Sequence, residues 1–213
     1  MTIETLLQNH PALTVCRDSV ESARDLLTDT YRAGGKLLLC GNGGSAADCD
    51  HIAGELLKGF LSHRPLSEED CLTLADTLPE GEADPDLYLL AGQLQGGLPA
   101  ISLPAQTAAV TAVCNDTDPA LIFAQLTWAL GQARDALLCL STSGNSRNVV
   151  LAAKAAKAKG MAVLALTGED DSALSALADV TVQVPALETY RVQEYHLPVY
   201  HYLCAAVEEA FFG

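Results

Sequence analysis

His51 and Glu55 stand four residues apart in the stretch "GGSAADCDHIAGEL". On a helix that spacing puts the imidazole and the carboxylate on one face. The pair could move protons or offer a nitrogen and an oxygen to a metal ion. It could equally be an ordinary surface interaction. Two further polar residues, Gln193 and His201, interrupt the apolar segment "ETYRVQEYHLPVYHYLC". They are eight residues apart, a little over two helical turns, and so lie on adjacent faces. Polar side chains buried in such a helix need partners. His196 and His63 rival His201, and Pro198 can kink the segment and change which histidine faces inward. A third cluster is "STSGNSRNVV", which offers Ser141, Thr142, Ser143, Asn145 and Ser146 at the start of a predicted helix. Hydroxyls, backbone N–H groups and a helix N-terminus together suit a phosphate, and they exceed what a single N-cap needs.

The elements that must position these residues are legible in outline. Lys36–Cys40 is a short apolar run leading into "GNGGSA", with Ser45 as the expected N-cap of a helix over Ala46 to Phe60. Gly41, Gly43 and Ala46 also fit the dinucleotide pattern G-x-G-x-x-A. That pattern calls for a ribose-binding acid at the end of a second strand. The chain instead continues "GFLSHRPLSEED", with no strand before the acids. A compact phosphate is therefore the better match for the two turns.

A helix over Thr14 to Ala33, ended by Gly34 and Gly35, precedes the first strand. Residues 61–97 are rich in acids, Pro and Gly and predict an insertion with one or two short helices. Further strands are expected at Ala100–Leu103, Ala136–Leu140, Ala162–Leu166 and Val180–Val184. Helices are expected at Asp118 to Leu130, Arg147 to Lys159, Ser172 to Ala178 and Thr189 to Phe211. Alternation of this kind predicts an α/β protein built on a doubly wound five-stranded parallel sheet, a flavodoxin-like three-layer sandwich, over residues 1–213.

Composition sets the outer bounds. The formal net charge is −15 and the pI about 4.5, which opposes nucleic-acid binding and leaves any anionic ligand to local donors. No transmembrane-length apolar run and no signal peptide are read in the chain. Seven scattered cysteines without a CxxC pair read as free thiols of a reducing cytoplasm.

The stretches "CGNGGSAADCDHIAGEL", "STSGNSRNVVLAAKAAKAKGMAVLALTG" and "CNDTDP" resemble the sugar isomerase (SIS) domain family, in particular its phosphoheptose isomerase branch. The likeness covers most of the chain except about 61–97. It implies an SIS fold, a phosphate cradle at Ser141, Thr142, Ser143 and Ser146, and pocket roles for Asn42, Gly43, Ser45, Asn115 and Asp116. It also implies a zinc site at His51, Glu55, Gln193 and His201, with Gln193 also at the substrate, and a homotetramer with sites at subunit interfaces. The activity implied is conversion of sedoheptulose 7-phosphate to D-glycero-D-manno-heptose 7-phosphate, with Glu55 as base and His201 as acid. Tyr190 departs from the branch, many members of which carry an acid there. The resemblance leaves two alternatives: a non-catalytic SIS sensor of the replication-initiator-associated type, or a sugar-amine phosphate isomerase or etherase. His201 favours the isomerase over the sensor, which typically lacks the last histidine of the metal set.

Overall fold

The computed structural model describes residues 1–76 and 85–213. Helix α1 (Ile3–Asn9) is followed by a 3₁₀ turn at Pro11–Cys16 and α2 (Arg17–Arg32). Strand β1 (Leu37–Gly41) leads to α3 (Gly44–Leu57), then α4 (Glu68–Ala75) and α5 (Pro85–Gln93). The chain continues through β2 (Ala100–Ser102), α6 (Thr107–Asp116) and α7 (Ile122–Leu130). It closes with β3 (Ala136–Leu140), α8 (Arg147–Ala158), β4 (Ala162–Thr167), β5 (Val180–Gln183) and α9 (Thr189–Phe212).

The five strands are all parallel, in the order β2-β1-β3-β4-β5. The order reverses between β1 and β3, whose following loops carry GNGGSA and STSGNS. A doubly wound sheet opens a ligand crevice at such a point, beyond the carboxyl ends of the strands. Alternate side chains explain the two cores. Leu37, Leu39, Leu138 and Leu164 pack with α2, α3 and α9, whereas Leu38, Cys40, Leu137, Cys139 and Val163 pack with α7 and α8. Both faces are covered, so the strands read as continuous apolar runs.

Three expectations change. The first turn is capped by Gly43, with φ of 57°, and α3 begins at Gly44 rather than after Ser45. A side chain at Gly43 would strain that left-handed backbone, so glycine takes the cap position and buried Ser45 becomes part of the first turn. Residues 172–178 form a series of turns instead of a helix. Ser172 and Ser175 bond each other's backbone there, which competes with helical bonding. Helix α6 was not expected from the sequence: its Ala, Val and Thr side chains show no buried residue and hence no clear stripe.

Within 61–97 the two described helices match the expected short ones, and residues 77–84 lie outside the described part. Its ends are pinned together by a bridge between Pro65 and Gln95 and by the Gly96 N–H donating to the Arg64 carbonyl at 2.8 Å. All seven cysteines are free, and Cys40 and Cys139 approach to 3.7 Å between neighbouring strands.

Candidate active site

Helix α9 runs beside α3 in the same direction. Gln193 lies against Gly44, where an added Cβ would sit 2.5 Å from the amide nitrogen. Seven residues further along α3, His51 meets His201, with ring centroids 5.0 Å apart and planes at 79°. Beyond the end of α3, Glu208 accepts from the backbone N–H groups of Phe60 and Leu61, each at 2.8 Å. The two helices therefore carry His51, Glu55, Gln193 and His201 along one seam.

His51 Nε2 stands 3.1 Å from Glu55 Oε1, as the four-residue spacing requires. On its other side, His51 Nδ1 is 3.1 Å from the Tyr200 hydroxyl, which donates to Asp48 Oδ1 at 3.2 Å. The imidazole is 42% exposed at the side chain and the carboxylate 17%, so the pair opens toward solvent. His201 Nε2 is buried and without a hydrogen-bond partner. Burial, then the neighbouring His51, holds the His201 pKa below the ordinary imidazole value, against the pull of Glu55. Burial likewise raises the Asp48 carboxyl above its usual range, opposed by the Tyr200 hydrogen bond and by His51.

The rival histidines face elsewhere. His196 is fully buried, with Nε2 3.3 Å from the Thr167 carbonyl, and burial pushes its pKa down to about 4. His63 is exposed on the loop after α3.

The two turns at the strand ends are joined by a pair the sequence did not single out. Asn42 and Asn148 exchange side-chain amide bonds at 2.9 and 2.8 Å, so the first glycine turn is fastened to the first turn of α8. In the serine loop, Ser141 donates to Ser146 at 3.1 Å, and Ser143 Oγ accepts from the Asn145 N–H at 3.2 Å. Ser146 occupies the N-cap of α8 without capping it through its side chain. That arrangement turns hydroxyls and a helix N-terminus toward one place. Thr142 and Ser143 line a cleft of about 230 Å³ that Glu169, Asp170 and Asp171 also line. An anion there must rely on nearby hydroxyl and N–H donors. Asn115 and Asp116 sit exposed at the end of α6 and bond each other at 2.7 Å; no described contact ties them to the turns or to the α3–α9 seam.

Among the described residues, no three His, Cys, Asp or Glu side chains are gathered into a ready-made metal cluster. The chemistry of the seam still suits one. His201 carries an unpartnered imidazole nitrogen, its ring stands 5.0 Å from that of His51, and His51 pairs with the Glu55 carboxylate; nitrogen and oxygen donors are acceptable to zinc.

Fold and seam together define a class. SIS-domain profiles match residues 11–85 and 108–206. A phosphoheptose isomerase from Alkalilimnicola ehrlichii is 36% identical across 99% of this chain and 93% of its own length. One from Shewanella frigidimarina is 36% identical across 92% of this chain and 85% of its own. The solved phosphoheptose isomerase of Neisseria gonorrhoeae superposes with a TM-score of 0.74 at 32% identity, covering 97% of this chain and 94% of that one. That of Francisella tularensis gives 0.75 at 28% identity, with the same coverage. The chain belongs to the phosphoheptose isomerase family of SIS-domain proteins.

Proposed function

We propose that the protein is an aldose–ketose isomerase that converts sedoheptulose 7-phosphate to D-glycero-D-manno-heptose 7-phosphate. The observation that carries this reading is the meeting of His51 and Glu55 on α3 with His201 on α9, beside the paired strand-end turns. The reaction moves a proton between adjacent carbons through an enediol. It needs a base at carbon, a donor at the carbonyl oxygen and a fixed substrate. Glu55 takes the proton from carbon. His201 serves the oxygen, its depressed pKa making it a neutral imidazole at neutral pH, which can donate a hydrogen bond without being charged.

Ser141, Thr142, Ser143 and Ser146 anchor the phosphate. Asn42, Gly43, Ser45 and Gln193 line the sugar's path from the first turn, and Asn115 and Asp116 join the pocket in the assembled protein. His51, Glu55, Gln193 and His201 would hold a zinc ion, and when bound such an ion polarises sugar oxygens. A glutamate that is both ligand and base must leave one role for the other during turnover.

We read the chain as one SIS domain interrupted at 61–97, working as a cytoplasmic homotetramer. Exposed α6 supports the assembly, because none of its residues is fully buried within the chain and only Ala109 and Val110 pack partly against the core. No helix of the described residues is long and apolar enough to cross a membrane.

The deciding experiment is incubation with sedoheptulose 7-phosphate and detection of the heptose 7-phosphate by NMR. Conversion is expected. Tight binding of the sugar phosphate with no conversion would make the chain a binding protein instead.

A further inference from the structure

Tyr200 is 1% exposed and lies between two groups that both seek its hydroxyl. Asp48 Oδ1 is 3.2 Å away and His51 Nδ1 is 3.1 Å away. A phenol has one proton to donate. An ionised carboxylate only accepts, so the phenol proton goes to Asp48, and the phenol oxygen then accepts from an Nδ1–H of His51. His51 Nε2 then faces Glu55 Oε1 at 3.1 Å, where it would give its lone pair to a metal ion or, with none bound, carry a proton donated to the carboxylate. Nδ1 carries its proton in either case.

We propose that Tyr200, oriented by Asp48, is a positioning residue that holds a proton on His51 Nδ1 and so turns Nε2 toward Glu55 and the reacting site. Asp48 lies three residues before His51, and its influence reaches the imidazole through a tyrosine far along the chain. The arrangement is that of an outer partner that sets ring orientation and tautomer behind a ligand histidine. Its consequence for metal binding rests on the zinc reading above, but the Nδ1 proton does not.

The test uses the full chain, ¹⁵N-labelled and treated with chelator, with histidine tautomers read from long-range ¹H–¹⁵N correlations. In the wild type, His51 is expected to show a protonated Nδ1. Tyr200→Phe should release the ring into a mixture of tautomers. Asp48→Ala should free the phenol to donate to Nδ1 and invert the tautomer, while circular dichroism shows both variants folded. A wild-type His51 unprotonated at Nδ1, or variants that leave its nitrogen shifts unchanged, would overturn the proposal. As a second readout, zinc affinity measured by competition with a chromogenic chelator should fall about 10–100-fold in Tyr200→Phe. Unchanged affinity would overturn the presenting role. A wild type that takes up no zinc would defeat the metal reading, and the nitrogen shifts would still decide this one.

Discussion

On Glu55 two demands meet. Its carboxylate lies 3.1 Å from His51 Nε2 and 3.8 Å from the Lys58 ammonium, yet in the proposed reaction it also collects a proton from carbon. A general base of this kind contributes about 10²–10⁴-fold to rate. Glu55→Gln is therefore expected to slow exchange of the substrate's C1/C2 hydrogen with solvent deuterium by that factor, followed by ¹H NMR. Calorimetric affinity for the sugar phosphate should hold, because the serine loop lies outside α3. Exchange at the wild-type rate would remove Glu55 from the role. The i,i+4 spacing of His51 and Glu55 was plain in the sequence, because a helix converts spacing directly into a shared face. The role of Tyr200 was not. It is one of several aromatics in an apolar helix, and nothing local marks the one whose hydroxyl meets Asp48 across 152 residues of chain. The same holds for Asn148, whose amide finds Asn42 from 106 residues away.

The seam between α3 and α9 depends on a buried cation. Arg64 is 1% exposed; it donates to Glu208 Oε1 at 2.8 Å, to the Leu56 carbonyl at 2.8 Å and to the Glu55 carbonyl at 3.1 Å. It also stacks over Phe212, 4.7 Å from the ring centroid. In this way one guanidinium satisfies carbonyls in the last turn of α3 and ties that helix to the end of α9. Removing one partner of such a pair leaves a buried charge uncompensated, at a cost of about 3–5 kcal/mol. Arg64→Met is expected to lose that much in urea unfolding, and a loss below about 1 kcal/mol, the range of an exposed pair, would refute the clamp.

A pH dependence follows from Glu208. Burial pushes its carboxyl up, but the N–H groups of Phe60 and Leu61 together with Arg64 outweigh this and hold the pKa below 4.5. A depressed folded pKa gives stability that is present above the unfolded value and is lost as pH falls through the folded one. The acid-side decline in unfolding free energy should therefore be shallower in Glu208→Gln than in the wild type. An equally steep decline in that variant would show that other carboxylates govern it. Sequence reading placed the neighbouring segment in an insertion, but Arg64 read as one more charge beside a proline. Only the packing of α9 shows that it is buried.

At the scale of the whole molecule, the net charge of −15 sits beside an apolar helix only partly covered by the core. Val110 and Val113 of α6 are only half-buried, and Trp128 of α7 is 56% exposed. Burying such surface between copies of the chain is the ordinary way to remove it from water. Light scattering is expected to give the mass of four 22.4 kDa chains. A monomer mass at micromolar concentration would refute the assembly and leave Asn115 and Asp116 without a route into the pocket.

The sequence by itself determined the alternation of apolar strands and helices, the two strand-end turns and the His51–Glu55 face, because each of these is a local pattern with a fixed period. It also carried the family likeness, in the motifs of those same turns. The start of α3 at Gly44, the turns at 172–178 and the existence of α6 were decided by local backbone bonding that side-chain pattern does not reveal. Tertiary structure alone decided which of three histidines joins His51. His196 lost its place because the sheet buries it against Thr167, and His201 gained it because α9 runs alongside α3. Contacts between segments more than a hundred residues apart carry no period for a sequence to display, and the seam of this protein is built from them.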